Sequence, residues 1–371
     1  MIQERMTIGD YVTEYSVRNK ANENIPVYSV TNSQGFCKEY FNKEVASKDK
    51  STYKIVPRGY FAYNPSRINV GSVDWQRNEE RVIVSPLYNV FSVSDELDKQ
   101  YLFYFLKSDI GRQMIKAKAF GSVRDNLKLD MLKEMTIPKG TIKEQKKCAT
   151  VLDKLKEIIS LHTERIGKYD DFIKARFVEM FGDPIKNPKG WEVVTIGDIV
   201  TEVKYGTSKP AVEGGKYPYL RMNNLTSDGH LDLNDLKYID ISEDEIEKCV
   251  VRKGDVLFNR TNSIELVGKT AVFDLLDDMV IAGYIIRVRL NERMLPEVLS
   301  QYMNLEALKD ILRSMAKGAV NQANINAQEL QSIKVYIPDM GLQKKFIEMK
   351  EQVDKSKVAI QKIHKKGYNC L

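Results

Sequence analysis

The chain contains an internal repeat, and this repeat constrains its fold more than any other feature of the sequence. Residues 121–138 read GSVRDNLKLDMLKEMTIP, and residues 318–338 read GAVNQANINAQELQSIKVYIP. Both segments have a glycine, a small residue and a valine, then a polar stretch with asparagine, a short apolar stretch and a closing Ile-Pro. Because a repeated sequence indicates a repeated structural unit, we expect the chain to fold as two similar halves.

Further pairs of segments occur in the same order in both halves. The pairs are TIGD at 7–10 and 195–198, the segments 56–67 and 251–262, the segments 82–93 and 279–290, an expected amphipathic helix at 100–108 and 300–308, and the segments 144–156 and 342–357. The two members of each pair lie about 190–200 positions apart throughout, so the order of the elements is kept. We therefore interpret the chain as the product of a duplication.

Each half combines a globular segment with a long helix. Stretches rich in Val, Ile and Tyr are typical of strands, and the segments between them are rich in Gly, Asn and Pro, which favour turns. We predict an α+β fold with two duplicated mixed α/β domains, separated by two long antiparallel helices that form a coiled coil with pseudo-two-fold symmetry. The expected boundaries are a first domain at 1–139, a long helix at 140–182, a second domain at 183–339 and a second, shorter helix at 340–371.

The two expected helices carry an apolar seam. Seam residues follow one another at alternating steps of three and four, which is the spacing of a coiled coil. FGDP at 181–184 is expected to end the first helix, because Gly is favoured just past a helix and Pro cannot continue one. The alternative is that each helix packs on its own domain. The predicted seam contains Leu152, Leu155, Ile159, Ile166, Tyr169, Ile173, Phe346, Met349, Val353 and Ile360, with Ser356 and Ile363 continuing the pattern.

Charge and cysteine usage limit the classes of protein and partner. The net charge is +6, which permits a polyanionic partner without requiring one. The four cysteines are widely spaced and form no CxxC pair, which indicates free thiols in a reducing cytoplasm. No stretch approaches the ~18 consecutive apolar residues of a membrane span.

Motifs that carry catalysis are missing from the sequence. There is no glycine-rich dinucleotide loop, no Walker lysine motif, no HExxH and no GxSxG. AYNPSR at 62–67 partly matches the Asn-Pro-Pro-aromatic motif of DNA amino-methyltransferases, but it lacks the second Pro and the aromatic residue. We therefore expect that the chain is not an enzyme by itself, with a stand-alone methyltransferase as a lesser alternative.

Polar turns recur in both halves and suit nucleic-acid recognition. Asn, Gln, Ser, Thr and Arg are the side chains that read base edges, while Lys and Arg contact phosphates. The same residues also serve ordinary turn chemistry, so each turn alone has a second explanation. The paired part of the helices, about 25 residues or roughly 40 Å, is close to the ~34–36 Å between half-sites one DNA turn apart.

The chain resembles the specificity (S) subunits of type I restriction–modification systems over essentially its whole length. The segments 26–36, 54–73 and 84–93 resemble a first target-recognition domain, 144–166 with FGDP resembles the central helix, and 191–199, 254–261 and 321–338 resemble a second recognition domain. The resemblance implies that each domain reads one half of a split DNA site and that the helices set the gap between the halves. The shorter second helix departs from full symmetry.

The resemblance also implies partners and cofactors. The expected partners are double-stranded DNA and two modification (M) subunits that methylate adenine at N6, with restriction (R) subunits joining where the system has a nuclease. No cofactor is expected in this chain: S-adenosylmethionine would lie on the M subunits, and ATP and Mg on the R subunits. The chain would then be a cytoplasmic, non-catalytic recognition subunit, with a protein–protein scaffold of two β-rich modules on a coiled coil as the alternative.

Candidate DNA contacts follow from matching loop positions in the two halves. In the first domain they are Asn32, Gln34, Tyr63, Asn64, Arg67, Arg124 and Asn126, and in the second they are Thr207, Ser208, Lys209, Arg221, Asn223, Asn259, Arg260, Asn262, Asn321 and Gln322.

Overall fold

The chain forms two compact units. The computed structural model describes residues 4–38, 49–119, 126–319 and 322–368. Unit 1 comprises the described residues of Met1–Leu161 and Lys366–Leu371, and unit 2 comprises His162–Lys365. The division between the units falls within the first long helix rather than at either of its ends.

Unit 1 is built on an antiparallel sheet covered by short helices. Its strands are β1 (Arg5–Thr7), β2 (Val12–Glu14), β3 (Ser29–Thr31), β4 (Gly35–Cys37), β5 (Lys54–Pro57), β6 (Phe61–Tyr63), β7 (Val73–Trp75), β8 (Arg81–Val84), β9 (Asn89–Val93) and β10 (Thr136–Pro138). Its helices are α1 (Lys99–Lys107), α2 (Asp109–Ala119), α3 (Leu129–Lys133) and the first part of α4 (Ile142–Phe181). The main sheet has the order β2-β9-β6-β7, and β1 pairs with β10. The cross-strand neighbours Phe61 and Phe91 stack with ring centroids 5.0 Å apart in the core of this unit.

Unit 2 has the same kind of architecture with more strands. Its strands are β11 (Glu192–Thr195), β12 (Val200–Tyr205), β13 (Tyr217–Leu220), β14 (Lys237–Ile239), β15 (Val250–Val251), β16 (Val256–Asn259), β17 (Thr261–Asn262), β18 (Thr270–Val272), β19 (Met279–Ile281), β20 (Ile285–Leu290), β21 (Lys317–Ala319), β22 (Gln322–Asn324) and β23 (Lys334–Ile337). Its helices are α5 (Glu243–Cys249), α6 (Pro296–Met303), α7 (Glu306–Met315), α8 (Ala327–Gln331) and α9 (Met340–Tyr368). The main sheet has the order β12-β20-β16-β18, and β11 pairs with β23.

The topology of the two units confirms the duplication. The strand order of the main sheet and the closing pair of first and last strands are the same in both. The α+β class with two mixed domains is therefore confirmed. One detail of the sequence analysis is wrong: residues 300–308 are not a single helix, because α6 ends at Met303 and α7 begins at Glu306. The helical counterpart of α1 is α6, which starts a few residues earlier than the sequence pairing indicated.

Capping side chains define where the long helices begin and end. Glu144 accepts a hydrogen bond from the backbone N–H of Thr141 at 2.8 Å, and the Thr141 hydroxyl accepts the N–H of Glu144, so the two residues form a capping box at α4. The Asp339 carboxylate accepts the N–H of Leu342 at the start of α9. Gly182 ends α4 with a positive φ of 91°, as the FGDP motif predicts. None of the described helices is long and apolar enough to cross a membrane.

The predicted seam is buried or half-buried along both long helices. Within unit 2, α4 and α9 pack antiparallel, since Phe346 near the start of α9 contacts Phe177 and Phe181 near the end of α4. The same helix ends also pack in the core of the unit 2 domain. The helices therefore pair with each other and also pack on that domain. Ser356 and Ile363 are exposed, against expectation. Lys357 is buried in place of Ser356, because its ammonium group meets two carboxylates there.

The cysteine prediction agrees with the described residues. Cys37, Cys148 and Cys249 are free thiols, and they differ in exposure, with Cys249 buried and Cys148 exposed. Cys370 lies outside the described residues.

Candidate nucleic-acid interface

Three predicted contact residues of unit 1 line one cavity. Asn32, Asn64 and Arg67 surround a concave site of about 340 Å³ together with Ser29, Thr31, Ser72, Val30, Val70 and Tyr88. We call the group of Asn32, Asn64 and Arg67 surface 1. It combines two amides with an exposed guanidinium, which are the side chains that make bidentate contacts to purine edges.

Turn chemistry holds the side chains of surface 1 in place. Asn32 lies in the tight turn between β3 and β4, where the Thr31 hydroxyl accepts the backbone N–H of Gln34 at 3.0 Å. Lys107 of α1 donates to the backbone carbonyl of Asn32 at 2.8 Å and so fixes this turn against the helix. Asn64 follows β6 directly and accepts the N–H of Ser66 at 3.1 Å, which is an Asx-turn.

Tyr63 cannot contact DNA, which corrects the sequence prediction. Its side chain is fully buried, its hydroxyl donates to the backbone carbonyl of Leu127, and it accepts a hydrogen bond from Asn89 at 2.9 Å. Burial raises the pKa of Tyr63 well above its ordinary value. The alternation of a strand explains the error, because Tyr63 points into the core while the loop that follows it reaches the surface.

The remaining candidates of unit 1 differ in their surroundings. Gln34 is exposed at the β3–β4 turn. Asn126 is half-buried and accepts a hydrogen bond from the Ser66 hydroxyl at 2.6 Å, so it supports the loop that carries Arg67. Arg124 lies outside the described residues.

In unit 2 the corresponding region gathers Arg260 and two exposed tyrosines. The Arg260 guanidinium lies 4.9 Å from the ring centroid of Tyr205, and its Nη1 donates to the carbonyl of Gly283 at 3.4 Å. Tyr205 and Tyr284 are 42% and 49% exposed, so both rings are open to a ligand. We call Tyr205, Arg260 and Tyr284 surface 2. An arginine stacked on an exposed aromatic ring is a common arrangement for contacting nucleic acid.

The two tyrosines were missed by sequence reasoning. Each lies next to a glycine. Gly206, beside Tyr205, allows close approach of two backbones, since a Cβ there would lie 2.2 Å from the carbonyl oxygen of Ile281. Thr207 pairs with Ala282 in an isolated parallel bridge at this point. Tyr-Gly and Gly-Tyr at 205–206 and 283–284 were therefore the available signal, although each dipeptide alone is uninformative.

The polar residues around surface 2 are partly engaged within the protein. Thr207 is half-buried and accepts the N–H of Lys209, Ser208 is exposed, and Lys209 forms an ion pair with Glu245 that raises the pKa of the lysine. Arg221 forms an ion pair with Asp235 at 2.7 Å. A ligand phosphate would have to compete with these carboxylates for the two cations.

Asn259 is a structural residue, which corrects a second prediction. Its side chain is fully buried, and its amide donates to the carbonyls of Thr261 and Tyr284 at 3.2 Å each. Asn262, half-buried, donates to the Asn259 side-chain oxygen at 2.8 Å. These bonds hold the β16–β17 corner that presents Arg260.

The last candidates of unit 2 lie at exposed or undescribed positions. Asn223 is exposed in the segment that follows β13, and Gln322 is exposed at the start of β22. Asn321 lies outside the described residues. The structure therefore brings together Asn32, Asn64 and Arg67 in unit 1, and it places Ser208, Thr207 and Asn262 around Arg260 in unit 2.

Comparison with known proteins assigns the family. The family described as "Type I restriction modification DNA specificity domain" matches residues 9–168 and 188–367, one match for each half of the chain. The chain belongs to this family. Each match begins near the start of one globular segment and runs into the long helix that follows it.

Curated relatives carry the same description. The chain is 25% identical over 269 residues to the type I restriction enzyme EcoKI specificity subunit of Escherichia coli, covering 68% of this chain and 58% of that protein. It is 30% identical over 171 residues to a putative type I restriction enzyme MjaX specificity subunit of Methanocaldococcus jannaschii, covering 45% of this chain and 40% of that protein. The chain therefore spans less than two thirds of the length of these relatives.

A solved structure supports the fold. A chain from a study described as "Structural basis underlying complex assembly and conformational transition of the type I R-M system" matches with a TM-score of 0.62 at 16% identity, covering 99% of this chain and 95% of that chain. Similarity at this level of identity concerns the fold alone.

Proposed function

We propose that this chain is the DNA-specificity subunit of a type I restriction–modification complex and that each unit reads one half of a bipartite DNA site. The observation that carries the proposal is that each unit places an arginine at the same corner of the duplicated sheet. Arg67 follows β6 in unit 1, and Arg260 follows β16 in unit 2, where β6 and β16 hold the same place in their sheets. Polar and aromatic side chains surround the guanidinium in each case.

The chemistry of the two surfaces supports different contacts. Surface 1 is a concave site with amides beside an arginine, which suits hydrogen bonds to base edges. Surface 2 presents an arginine over an exposed tyrosine, which suits a phosphate or a stacked base. Two unlike surfaces fit an asymmetric site with two different halves.

The long helices support the proposed protein partners. Val151, Ile158, Leu161 and Phe172 are large apolar side chains on α4 that are between 45% and 57% exposed. Exposed apolar side chains along one helix suit a protein–protein interface. We assign this interface to the modification subunits, which would hold S-adenosylmethionine and methylate adenine, while ATP and Mg would belong to restriction subunits. The chain itself would perform no catalysis, and we place the complex in the cytoplasm.

Methylation mapping tests the proposal. N6-methyladenine would be mapped across the genome of a host that carries this chain with its modification subunit, and in a strain that lacks only this chain. We expect methylation at one split motif, two short halves around a fixed gap, and its loss in the deletion strain. Methylation that persists at the same motif without this chain would contradict the proposal.

Salt dependence of DNA binding separates recognition from a pure scaffold role. Each phosphate contact releases counterions, so the affinity of the assembled complex for a DNA duplex should fall steeply as salt rises. A scaffold that joins two proteins through apolar contacts would show no such binding to DNA at low salt.

A further inference from the structure

A cluster of charges around a buried lysine joins the domain of unit 2 to both long helices. Lys357 of α9 is only 3% exposed, and its ammonium group forms ion pairs with Asp170 of α4 and with Asp228 at 3.3 Å. We call Lys357, Asp170 and Asp228 the charge cluster. Asp228 belongs to neither helix, since it lies in a loop of the globular domain between β13 and β14.

The loop that carries Asp228 is a rigid part of the domain. The Thr226 hydroxyl accepts the N–H of His230 and donates to its carbonyl, each at 2.9 Å. Gly229 has a positive φ of 87°, and a Cβ there would lie 2.9 Å from the Asn304 amide and 3.2 Å from the carbonyl oxygen of Thr270. The loop is therefore closed by its own hydrogen bonds and packed against the end of α6, so it moves only with the domain.

A second pair of polar groups lies beside the same attachment. His230 Nε2 lies 3.7 Å from Asp354 Oδ1 on α9 and 3.9 Å from Asp228 Oδ2. The other Asp354 oxygen accepts a hydrogen bond from Lys350 at 2.7 Å. Both ends of the loop segment from Asp228 to His230 thus face charged groups of the helix pair.

The charge cluster lies at the far end of a longer attachment of the domain to the helix pair. The rest of this attachment is apolar: Phe177 and Phe181 of α4 and Phe346 of α9 pack in the domain core. The ring centroids of Phe177 and of Tyr302 on α6 are 6.2 Å apart. The cluster lies eleven residues further along α9 from Phe346, which corresponds to roughly 16 Å along a helix. The apolar packing continues along α9 as far as Val353, so the cluster adds directional contacts at the end of this attachment. These contacts fix an angle that apolar packing alone leaves free to shift.

Charged groups suit this role better than apolar ones. An apolar contact accepts many small shifts at little cost, but a buried ammonium requires its carboxylates at hydrogen-bond distance. Burial opposes ionisation of Asp228, but its pKa nevertheless lies below the ordinary value because the Thr226 hydroxyl, His230 and Lys357 stabilise the carboxylate. The carboxylate is therefore present to hold the ammonium at neutral pH.

We propose that the charge cluster is a positioning device that fixes the angle of the unit 2 domain on its long helices and thereby sets the gap length that the complex accepts. This inference rests on the proposed function. The residues act through the domain they position and do not contact DNA. A domain that rocks on its helices would carry surface 2 with it, and the half-site it reads would then be accepted at more than one distance.

Asp228→Asn tests the proposal most cleanly, because it leaves the Lys357–Asp170 pair between the helices intact. The full chain would be co-expressed and purified with its modification subunits. DNA duplexes would carry both half-sites at the recognised gap, at one base pair shorter and at one base pair longer, and N6-methyladenine would be measured on each. Since a misplacement of 1 Å can change rates ~100-fold, we expect the preference for the recognised gap to fall about ten-fold or more, with the half-site sequences unchanged.

Matched variants separate positioning from loss of stability. Asp232→Asn changes an exposed carboxylate in the same segment and should keep the wild-type preference. His230→Gln loosens the same loop without stranding a buried charge and should widen the accepted gap less than Asp228→Asn does.

Three results would overturn the inference. The first is an unchanged gap preference in both Asp228→Asn and His230→Gln. The second is a uniform loss of methylation at all three gaps, which would assign the cluster to stability alone. The third is wild-type complex that methylates no bipartite site, and this result alone would remove the proposed function as well.

Discussion

In both units the same contacts hold the first turn of the long helix, but further along the helix the contacts with the domain differ. In unit 1 the buried Gln145 accepts the backbone N–H of Asp98 at 2.8 Å and donates to the carbonyls of Gly140 and Glu96. Its side chain therefore joins the first turn of α4 to the segment that precedes α1. Gln343 occupies the same place in unit 2.

Gln343 repeats this set of contacts with different neighbours. It is fully buried, accepts the N–H of Leu295 at 2.9 Å, and donates to the carbonyls of Arg293 and Pro338. The donors and acceptors are backbone groups in both units, so the pattern does not depend on which side chains surround it. The start of each helix is thus the part of the duplicated scaffold that has stayed the same.

Further along the helices the two units differ. In unit 1, Asp153 of α4 accepts hydrogen bonds from the Tyr104 hydroxyl at 2.6 Å and from Gln100 at 2.7 Å, both neutral groups of α1. Unit 2 uses the charge cluster instead. The offset that relates Gln145 to Gln343 also relates Ile159 to Lys357, so an apolar seam position of the first helix is a cation in the second. The comparison teaches that the attachment of each domain diverged while the start of each helix did not.

Replacing the shared glutamines should have the largest effect on stability. Gln145→Leu and Gln343→Leu each remove the partner of three backbone groups that are mostly part-buried. A fully buried unsatisfied group costs about 1–3 kcal/mol and a part-buried one less, so we expect about 3–5 kcal/mol of destabilisation in the unit concerned. The two tryptophans offer a reporter for each unit, Trp75 in unit 1 and Trp191 in unit 2. Denaturant unfolding would be followed in Trp75→Phe and Trp191→Phe backgrounds.

The control for this comparison is Gln352→Leu, at an exposed position of α9. It should change the unfolding midpoint little. A glutamine variant that behaves like this control in one unit only would show that the two helix starts are not equivalent.

Replacing Asn259 at the β16 corner should lower stability, whereas replacing Asn64 at the β6 corner should weaken DNA binding. Asn259→Ala removes a buried amide that holds two carbonyls, so we expect a loss of about 2–3 kcal/mol in the stability of unit 2. Asn64→Ala affects a partly exposed loop residue and should leave stability nearly unchanged while weakening DNA binding. Unfolding curves and DNA titrations on both variants would check this, and equal destabilisation of both units would refute the distinction.

Lys309 should make unit 2 more stable as pH rises above neutral. Burial lowers the pKa of Lys309 from 10.5 to about 7. Between these values the unfolded chain holds a proton that the folded chain lacks, so stability increases with pH, by about 2 kcal/mol from pH 7 to pH 9. Unit 1 has the exposed Arg112 in the corresponding part of α2. Unfolding through Trp191 at several pH values should show the slope, and Lys309→Met should reduce it, with the buried Lys269, whose pKa is also lowered, keeping a smaller part.

Weakening the contact of Asp153 with α1 in unit 1 should have the smallest effect on stability. Asp153→Asn keeps the hydrogen-bonding shape and removes only a charge at an exposed position, so we expect a change of about 0.5–1 kcal/mol at most. Gap preference in the methylation assay should stay as in the wild type. A widening as large as that expected for Asp228→Asn would mean that both domains are positioned by charge.

Much of the scaffold could be predicted from the sequence, because a repeat and a heptad spacing are strong periodic signals. The duplicated topology, the end of α4 at Gly182 and the seam residues other than Ser356 and Ile363 followed from such patterns. Lys357 could not be predicted, since an apolar pattern selects against lysine, and its partner Asp228 is distant in sequence. The orientation of Tyr63 and Asn259 was also missed, because the alternation of a short strand beside a loop does not reveal which residue turns inward.

The most direct test of the central claim is methylation mapping with one surface altered at a time. We would compare the motif methylated with wild-type chain, with Asn64→Ala combined with Arg67→Ala in unit 1, and with Arg260→Ala combined with Tyr205→Ala in unit 2. The account predicts that each pair of changes relaxes or alters one half of the split motif and leaves the other half unchanged. Alteration of both halves by either pair, or of neither half by both pairs, would contradict it.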